Sequence, residues 1–240
     1  MEPLPAQPIK GLIDGLTVMQ ELTISDQPVS SSELSKKLGL EVTRVNRILK
    51  TLAYLGIAHR TNGRKYTPGP GIHVLAAQTI HASGLIQGAL PHLEALNQYN
   101  HIVALGVLWH DKISYLYHWE PGISTFEALG RLALYPVEKS SIGQVLLSFK
   151  SEDHVHHILN GQHHFTKKQL DNILEEIALA KEHGYGIVFK PREISLAVPV
   201  GHPIFAGLAL SGNFKEEEVE SYLKILNKTA EAIEKDSQLK

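Results

Sequence analysis

The side chains best suited to recognition chemistry lie in residues 39–52, GLEVTRVNRILKTL. The apolar residues of this segment recur at helical spacing and would pack inward, which leaves a polar and basic face. That face contains Thr43, Arg44, Asn46, Arg47 and Lys50. An Asn side chain can bond adenine through N6 and N7, an Arg side chain can bond guanine through O6 and N7, and outer cations mostly meet phosphates. The pattern therefore predicts a helix that contacts the major groove of DNA.

A shorter helix is predicted directly before this one. Ser30 is followed three positions on by Glu33, which is the spacing of a capping box, and Leu34 and Leu38 lie four apart on one face. Gly39 then ends the helix, because glycine adopts a left-handed conformation without a Cβ clash. Two helices joined by so short a turn form a helix-turn-helix.

A β-hairpin is predicted after the second helix. Residues 56–69, GIAHRTNGRKYTPG, contain two short extended runs around Asn62-Gly63, a dipeptide that favours a tight turn. The hairpin carries Arg60, Arg64 and Lys65. It is typical of the wing of a winged helix, and we expect Arg64 and Lys65 to touch the DNA backbone or the minor groove.

Only the first part of the chain has a net positive charge. Residues 30–67 hold eight Lys or Arg and two acids, and residues 1–70 hold nine cations and six acids, whereas the remainder has fourteen cations and nineteen acids. Only the N-terminal part therefore suits a polyanion. This imbalance favours a DNA-binding segment over the alternative, an ordinary surface helix pair with a solvated charged face.

Length and composition indicate a globular protein. The chain has 240 residues, 43% of them hydrophobic, which is enough for one large or two modest domains. It has no cysteine, no apolar run near eighteen residues and no leader of secretory type. We therefore expect no disulfide, no thiolate metal site and no membrane partner, and a cytoplasmic location.

The order of elements predicts the domains. Residues 1–8 contain three prolines and read as a disordered arm, residues 9–70 as the winged helix-turn-helix, residues 71–84 as a linker helix and residues 85–240 as a second domain. The first helix of the DNA-binding domain would pack through an apolar stripe of Leu12, Ile13, Leu16, Met19 and Leu22. In the second domain, helices and strand pairs alternate in blocks, which predicts an α+β fold on an antiparallel sheet.

The chain resembles the IclR (isocitrate lyase regulator) family of bacterial transcription factors over nearly its whole length. The resemblance rests on the Gly-Leu turn and Arg-containing helix of residues 39–52, the Tyr-Thr-Pro-Gly exit at 66–69, PVEKSSIGQVLLSF at 136–149, HGYGI at 183–187, and the closing strands ISLAVPV and GLALSG. It implies a winged helix, a linker helix and a GAF-like effector-binding domain, assembled as a homodimer or a dimer of dimers.

The resemblance also implies a pocket for a small organic effector. The family binds its ligands with backbone amides that correspond here to Ser141 and Ile142, next to Gly143, and with side chains that correspond to Ser195 and Ser211. An acid of the family pattern falls on Val188 or Phe189, a histidine on Glu138 and a serine on Ala209, and the loop before Ser195 is about three residues short. From these departures we expect a pocket more apolar than is usual in the family.

Five histidines offer a different chemistry. They are His154, His156, His157, His163 and His164. Imidazole binds zinc or nickel, but the spacing fits no tight zinc pattern, so we interpret the stretch as a solvated polar loop. Trp109, Tyr115, Tyr117 and Trp119 lie at strand spacing, and we expect them to pack in a core or interface. The alternative is that one or two of them line the pocket.

The sequence shows no nucleophile, base or phosphate-loop constellation, so we expect neither an enzyme nor a bound cofactor. The interpretation that the residues and the resemblance favour together is a repressor that binds an inverted-repeat operator in double-stranded DNA and responds to a small organic metabolite. Two alternatives stay open: an architectural DNA-binding protein without a ligand, and a metal-responsive regulator that uses the histidines of residues 154–164.

Overall fold

The fold is taken from a computed structural model that describes residues 7–130, 134–160 and 165–237. The chain divides after Ala82 into two compact units. The N-terminal unit contains α1 (Lys10–Thr23), α2 (Ser31–Leu38), α3 (Val42–Tyr54), β1 (Ala58–Arg60), β2 (Tyr66–Pro68) and nearly all of α4 (Pro70–Ser83). The predicted arm at residues 1–8 lies outside the described residues except for Gln7 and Pro8.

The helix-turn-helix forms as the sequence predicts. The Ser30 hydroxyl accepts from the Glu33 backbone N–H, and the Ser30 N–H donates to the Glu33 carboxylate at 2.6 Å, which completes the capping box of α2. Gly39 ends that helix with φ 64°. Val45 and Leu49 of α3 are fully buried, so the opposite face of this helix is left for solvent or a ligand.

The predicted stripe on α1 is wrong for three of its residues. Leu12, Ile13 and Leu16 are 58%, 42% and 50% exposed. The face of α1 that enters the core contains Asp14, Val18 and Leu22, which recur every four residues. The prediction failed because an acid occupies one core-facing position, where the cation of Arg44 offsets its charge.

The hairpin forms, but its turn differs from the predicted one. The Thr61 N–H donates to the Lys65 carbonyl at 2.8 Å, and the Arg64 N–H donates to the Thr61 carbonyl at 3.2 Å, which closes a three-residue loop. Arg64, with φ 59°, takes the left-handed position of that loop. On its other side β2 pairs with Val29, which extends the wing toward the start of α2.

The C-terminal unit is built on one six-stranded antiparallel sheet, which confirms the predicted α+β class. Its strands are β3 (Ile102–Trp109), β4 (Lys112–Trp119), β5 (Tyr135–Pro136), β6 (Gly186–Lys190), β7 (Glu193–Val200) and β8 (Ala206–Gly212). Their order across the sheet is β5-β4-β3-β8-β7-β6. The helices are α5 (Leu85–Leu96), α6 (Thr125–Ala128), α7 (Ser141–Ser148), α8 (Glu152–Asn160), α9 (Lys167–His183) and α10 (Val219–Asp236).

Alternation along the strands gives the sheet two unlike faces. Large side chains such as Leu105, Leu196 and Leu208 pack with α5 and α10. The residues between them are small, and Ala104, Ala209 and Ala197 face α7, α8 and α9. Successive strand residues point to opposite faces, so the small residues all lie on the face toward α7. Because their side chains are short, α7 can approach the sheet closely. That close approach places the first turn of α7 near the strands.

Several elements differ from those predicted. The stretch expected to be a polar loop contains α8, whose apolar side Val155, Ile158 and Leu159 is buried. The short elements β5, α6 and β6 were not predicted, and α5 ends in a short 3₁₀ turn at Asn97–Tyr99. Within the described ranges, no helix is both long and apolar enough to span a membrane.

Candidate functional site

The outer face of α3 carries the predicted donors. Thr43, Arg47 and Lys50 are exposed and Asn46 is half-buried, opposite the buried pair Val45 and Leu49. The helical spacing thus presents one amide, one hydroxyl and two cations on one surface. This is the set of groups that reads base edges and holds phosphates.

Arg44 differs from these residues because its side chain has a partner within the protein. Its guanidinium forms an ion pair with Asp14 of α1, and the Arg44 side chain is 35% exposed while that of Asp14 is 9% exposed. A long side chain can reach back along the helix to a buried acid, which spacing alone does not reveal. The ion pair holds α3 against α1, and the DNA contact predicted for Arg44 stays a prediction.

The two wing cations differ in their surroundings. The ammonium of Lys65 lies 3.3 Å from the Glu33 carboxylate at the start of α2, whereas Arg64 is exposed in the loop. Hydrogen bonds to the Ser30 backbone and hydroxyl, and then to Lys65, lower the pKa of Glu33 to about 2. Glu33 is therefore ionised at neutral pH and ties the wing to α2.

A cavity of about 170 Å³ opens in the C-terminal unit between the first turn of α7 and the sheet. Four of the sequence-predicted residues, Ser141, Ile142, Ser195 and Ser211, line it. Ser195 lies opposite Ser211 in the β7–β8 register, so the two hydroxyls share one face of the sheet. The structure thus brings together residues that are 70 positions apart in the chain.

Three hydroxyls form a chain at one end of the cavity. The Ser211 hydroxyl donates to Ser195 at 2.7 Å, and the Ser195 and Ser141 hydroxyls are 2.8 Å apart. Two of the three hydroxyl protons are used in hydrogen bonds between these serines, which leaves one hydroxyl proton for a ligand oxygen. Ser140 occupies the N-cap position of α7 without capping the helix, and its hydroxyl bonds Tyr115 instead. This end therefore offers donors.

An aromatic wall, which the family motifs did not indicate, closes one side of the cavity. Tyr115, His118 and Tyr135 line it. The Tyr115 ring packs edge-on to His118 at 5.3 Å and tilted to Tyr135 at 6.2 Å between centroids. Burial raises the pKa of Tyr115, and its bond to Ser140 partly offsets that effect. Tyr115 is therefore a neutral hydroxyl at physiological pH. Of the other strand aromatics, Tyr117 is fully buried and Trp109 is 46% exposed.

Charged side chains line the end of the cavity near the β6–β7 turn. Lys139, Lys190 and Glu193 contribute to the lining, and Lys190 and Glu193 form an ion pair at 2.7 Å. The hydrogen bond to Glu193 raises the pKa of Lys190. The expectation of a pocket more apolar than is usual in the family stays a prediction, and charged groups occupy this end of the cavity. The prediction considered the replaced family positions and missed polar groups from β4, β5 and the β6–β7 turn.

Two residues predicted for the pocket do not line it. A Cβ at Gly143 would overlap the Val137 carbonyl oxygen, so this glycine permits the close packing of α7 on the preceding turn. Val188 lies opposite Ser195 in the β6–β7 register but is absent from the cavity lining, and Phe189 is 57% exposed. The residue of β6 that lines the cavity is Lys190.

Only part of the histidine stretch lies within the described residues. His154, His156 and His157 lie on α8, while His163 and His164 fall outside the described residues. Burial lowers the pKa of His154, which keeps its ring neutral. Among the residues that the structure describes, no group of three or more His, Asp or Glu is placed to hold a metal ion. The metal-responsive alternative stays a hypothesis.

Comparisons with known proteins agree on one family. The family model described as "Bacterial transcriptional regulator IclR C-terminal" matches residues 77–235. The HTH-type transcriptional regulator KdgR of Escherichia coli (strain K12) is 26% identical over 226 residues, which cover 87% of this chain and 85% of that protein. KdgR of Dickeya chrysanthemi is also 26% identical, over 229 residues that cover 87% and 73%.

Solved structures share the fold. An IclR family transcriptional regulator from Brucella abortus superposes with a TM-score of 0.79 at 22% identity, covering 97% of this chain and 94% of that one. An IclR homolog from Microbacterium hydrocarbonoxydans, complexed with 4-hydroxybenzoate, superposes with a TM-score of 0.71 at 21% identity, covering 96% and 100%.

Proposed function

Because the chain belongs to the IclR family of bacterial transcriptional regulators, we propose that it is a repressor whose affinity for operator DNA is controlled by a small organic acid. The observation that carries the proposal is the cavity beside the first turn of α7, lined by three linked serine hydroxyls and by cations. An architectural DNA-binding protein without a ligand needs no such cavity.

The DNA-binding half of the proposal rests on α3 and the wing. Asn46 and Arg47 read base edges, and Thr43, Lys50, Arg64 and Lys65 hold phosphates. The exposure of Thr43, Arg47, Lys50, Arg64 and Lys65, and the position of Asn46 and Arg47 on the outer face of α3, support this division. Arg44 forms an ion pair with Asp14 and is a further predicted DNA contact.

The active species in this proposal is at least a homodimer, either alone or as a dimer of dimers. One winged helix contacts too little DNA for useful specificity, and two-fold symmetry in the protein requires an inverted repeat in the operator. The exposed stripe of Leu12, Ile13 and Leu16 on α1 supports pairing with a second copy, since a row of exposed apolar side chains on one helix favours an interface.

The effector half of the proposal assigns a carboxylate to the serine end. The backbone N–H groups of Ser141 and Ile142 lie in the first turn of α7, where the helix dipole favours negative charge. The chain of three serines adds one more donor. The ligand of the Microbacterium relative, 4-hydroxybenzoate, carries a carboxylate, which agrees with this assignment.

Regulation then follows from unequal affinities. The effector lowers DNA affinity by favouring an arrangement of the chain that binds DNA poorly, and residues 71–83 transmit the difference. A ligand with equal affinity for both arrangements would have no effect.

Binding-site selection combined with sedimentation tests the DNA half of the proposal. Random duplexes selected on the full chain should yield an inverted repeat, and the free protein at micromolar concentration should sediment as a dimer or larger species. Leu16→Glu should shift sedimentation toward the monomer and weaken operator binding. Glu231→Ala, a change at an exposed position of α10, is the control. A monomeric parent that selects a single half-site would contradict the proposal.

A further inference from the structure

An ion pair at one end of the cavity presents a donor and an acceptor side by side. The Lys190 ammonium lies 2.7 Å from the Glu193 carboxylate, and both residues line the cavity. They are direct partners in the β6–β7 register, so both side chains leave the same face of the sheet. Neither is fully buried, with 45% and 29% of the side chains exposed.

The pair has unused hydrogen-bonding capacity. An ammonium has three N–H donors and a carboxylate has about four acceptor sites, whereas their mutual bond uses one of each. A hydroxyl can accept from the ammonium and donate to the carboxylate at the same time. A methyl group can do neither, and a carboxylate or ketone would face Glu193 without a proton to offer.

Resting on the proposed function, we propose that Lys190 and Glu193 are the specificity-determining residues of the effector site and that the effector is a small monocarboxylic acid with a hydroxyl at the end remote from its carboxylate. The carboxylate binds at the serine end, and the hydroxyl bridges the ion pair.

The size and charge of the cavity agree with this class of ligand. A cavity of about 150 Å³ holds a benzene molecule, so a cavity of about 170 Å³ admits a ligand of roughly six to ten non-hydrogen atoms. Tyr115 and Tyr135 form a wall suited to a flat or short carbon body. Lys139, Lys190 and Glu193 together give the lining one excess positive charge, which balances a single negative charge on the ligand. A second carboxylate would lie against Glu193.

Calorimetry with matched acids tests the proposal directly. The probes are 4-hydroxybenzoate with benzoate, and 6-hydroxyhexanoate with hexanoate, titrated into the full chain. Hydrogen bonds to charged groups predict that the hydroxy acid of at least one pair binds about tenfold to a hundredfold more tightly than its partner. In Lys190→Met this ratio should fall below about threefold, because one of the two bonds is lost.

Two further variants separate recognition from folding. The double variant Lys190→Glu/Glu193→Lys keeps a donor beside an acceptor and should restore a ratio above about tenfold, which a cycle of single and double changes measures. Lys181→Met removes an exposed lysine of α9 and should leave the ratio unchanged. If Lys190→Met fails to fold, Glu193→Leu, which removes the acceptor of the pair, takes its place and should lower the ratio in the same way.

The outcomes separate this inference from the proposed function. Equal affinities for hydroxy and deoxy acids in the parent, or an unchanged ratio in Lys190→Met, would overturn the inference while the proposed function stands. If none of the four acids binds the parent and none alters its DNA affinity, both are overturned.

Discussion

Arg47 and Arg64 carry the same charge, but one lies on a helix and the other in a loop. This difference determines what each can contribute to DNA binding. Arg47 projects from the exposed side of α3, where a helix fixes its direction. Arg64 lies in the wing loop with φ 59°, a conformation that glycine adopts without strain. A rigid element suits base recognition, whereas a loop tip suits contact with a phosphate.

Substitutions at these two arginines should therefore act differently. Arg47→Ala should cost about 1 to 3 kcal/mol of operator binding and relax discrimination at one base pair. Arg64→Gly, which removes the charge and suits the loop, should weaken all sequences alike and lower the slope of log K against log salt by about one. Fluorescence anisotropy on the selected operator and its single-base variants, across a salt series, measures both effects.

Lys228→Ala, at an exposed position of the C-terminal helix, is the matched control for loss of one charge. The division of roles is wrong if Arg64→Gly changes base preference while Arg47→Ala changes only the salt slope.

At the level of single residues, the sequence predicted the serine end of the cavity and missed the opposite end. Ser141, Ser195 and Ser211 were found because they fall in motifs of the family. Lys190 and Tyr135 come from the two edge strands of the sheet, β6 and β5, and meet at one cavity only after the sheet folds. The spacing of residues within one segment of the sequence gives no sign of a contact between two distant strands. The ion pair of Arg44 was missed for a similar reason, since its partner Asp14 lies on another helix.

The capping box of α2 shows how one element couples the helix-turn-helix to the wing. Glu33 accepts from the Ser30 N–H and pairs with Lys65, so one carboxylate stabilises both the helix start and the hairpin. These bonds lower the pKa of Glu33 to about 2, against an ordinary value of 4.5. A depressed pKa means that the charged carboxylate stabilises the folded state above pH 4.5 and that this stabilisation is lost as the pH falls toward 2.

Glu33→Gln should therefore reduce the protection of α2 in a pH-dependent way. The variant keeps a capping side chain but not the charge, so its amides in residues 30–38 should exchange faster than those of the parent at pH 7. The difference should shrink between pH 4.5 and pH 2, where the parent loses the charge as well.

Hydrogen–deuterium exchange of the 30–38 peptide, corrected for intrinsic rates at each pH, measures this effect. Glu231→Gln, on the remote α10, should leave the peptide unaffected. A difference between parent and Glu33→Gln that stays constant from pH 7 to pH 2.5 would show that the charge contributes nothing.

Long and regular elements were predictable, and short ones were not. The β-rich apolar runs of β3, β4, β7 and β8, bounded by turn residues, and the capping of α2 are strong local signals. In contrast, β5 has two residues and α6 has four, which is too short for any period to show. The helix α8 does show a helical pattern, since Val155, Ile158 and Leu159 lie at i, i+3 and i+4. The histidines between these residues favoured the interpretation as a polar loop.

For the whole molecule, charge and topology place the proposed DNA-binding surface and the proposed effector site in different units. The basic surface lies within residues 1–82, and the acidic remainder contains the cavity. A substitution that fills the cavity should therefore remove the response to an effector without weakening operator binding. Ser195→Leu makes this change, because it replaces the hydroxyl shared by Ser141 and Ser211 with a bulky apolar group.

Operator affinity measured with and without an effector, in the parent and in Ser195→Leu, tests the central claim most directly. The probe is the hydroxy acid that raises the melting temperature of the parent most, since a ligand of the folded state stabilises it. We expect the probe to weaken operator binding of the parent by about 5-fold to 150-fold and to leave that of Ser195→Leu unchanged. Ser221→Leu, at an exposed position of α10, should respond as the parent does. An equal response in the parent and in Ser195→Leu would contradict the claim that this cavity controls DNA binding.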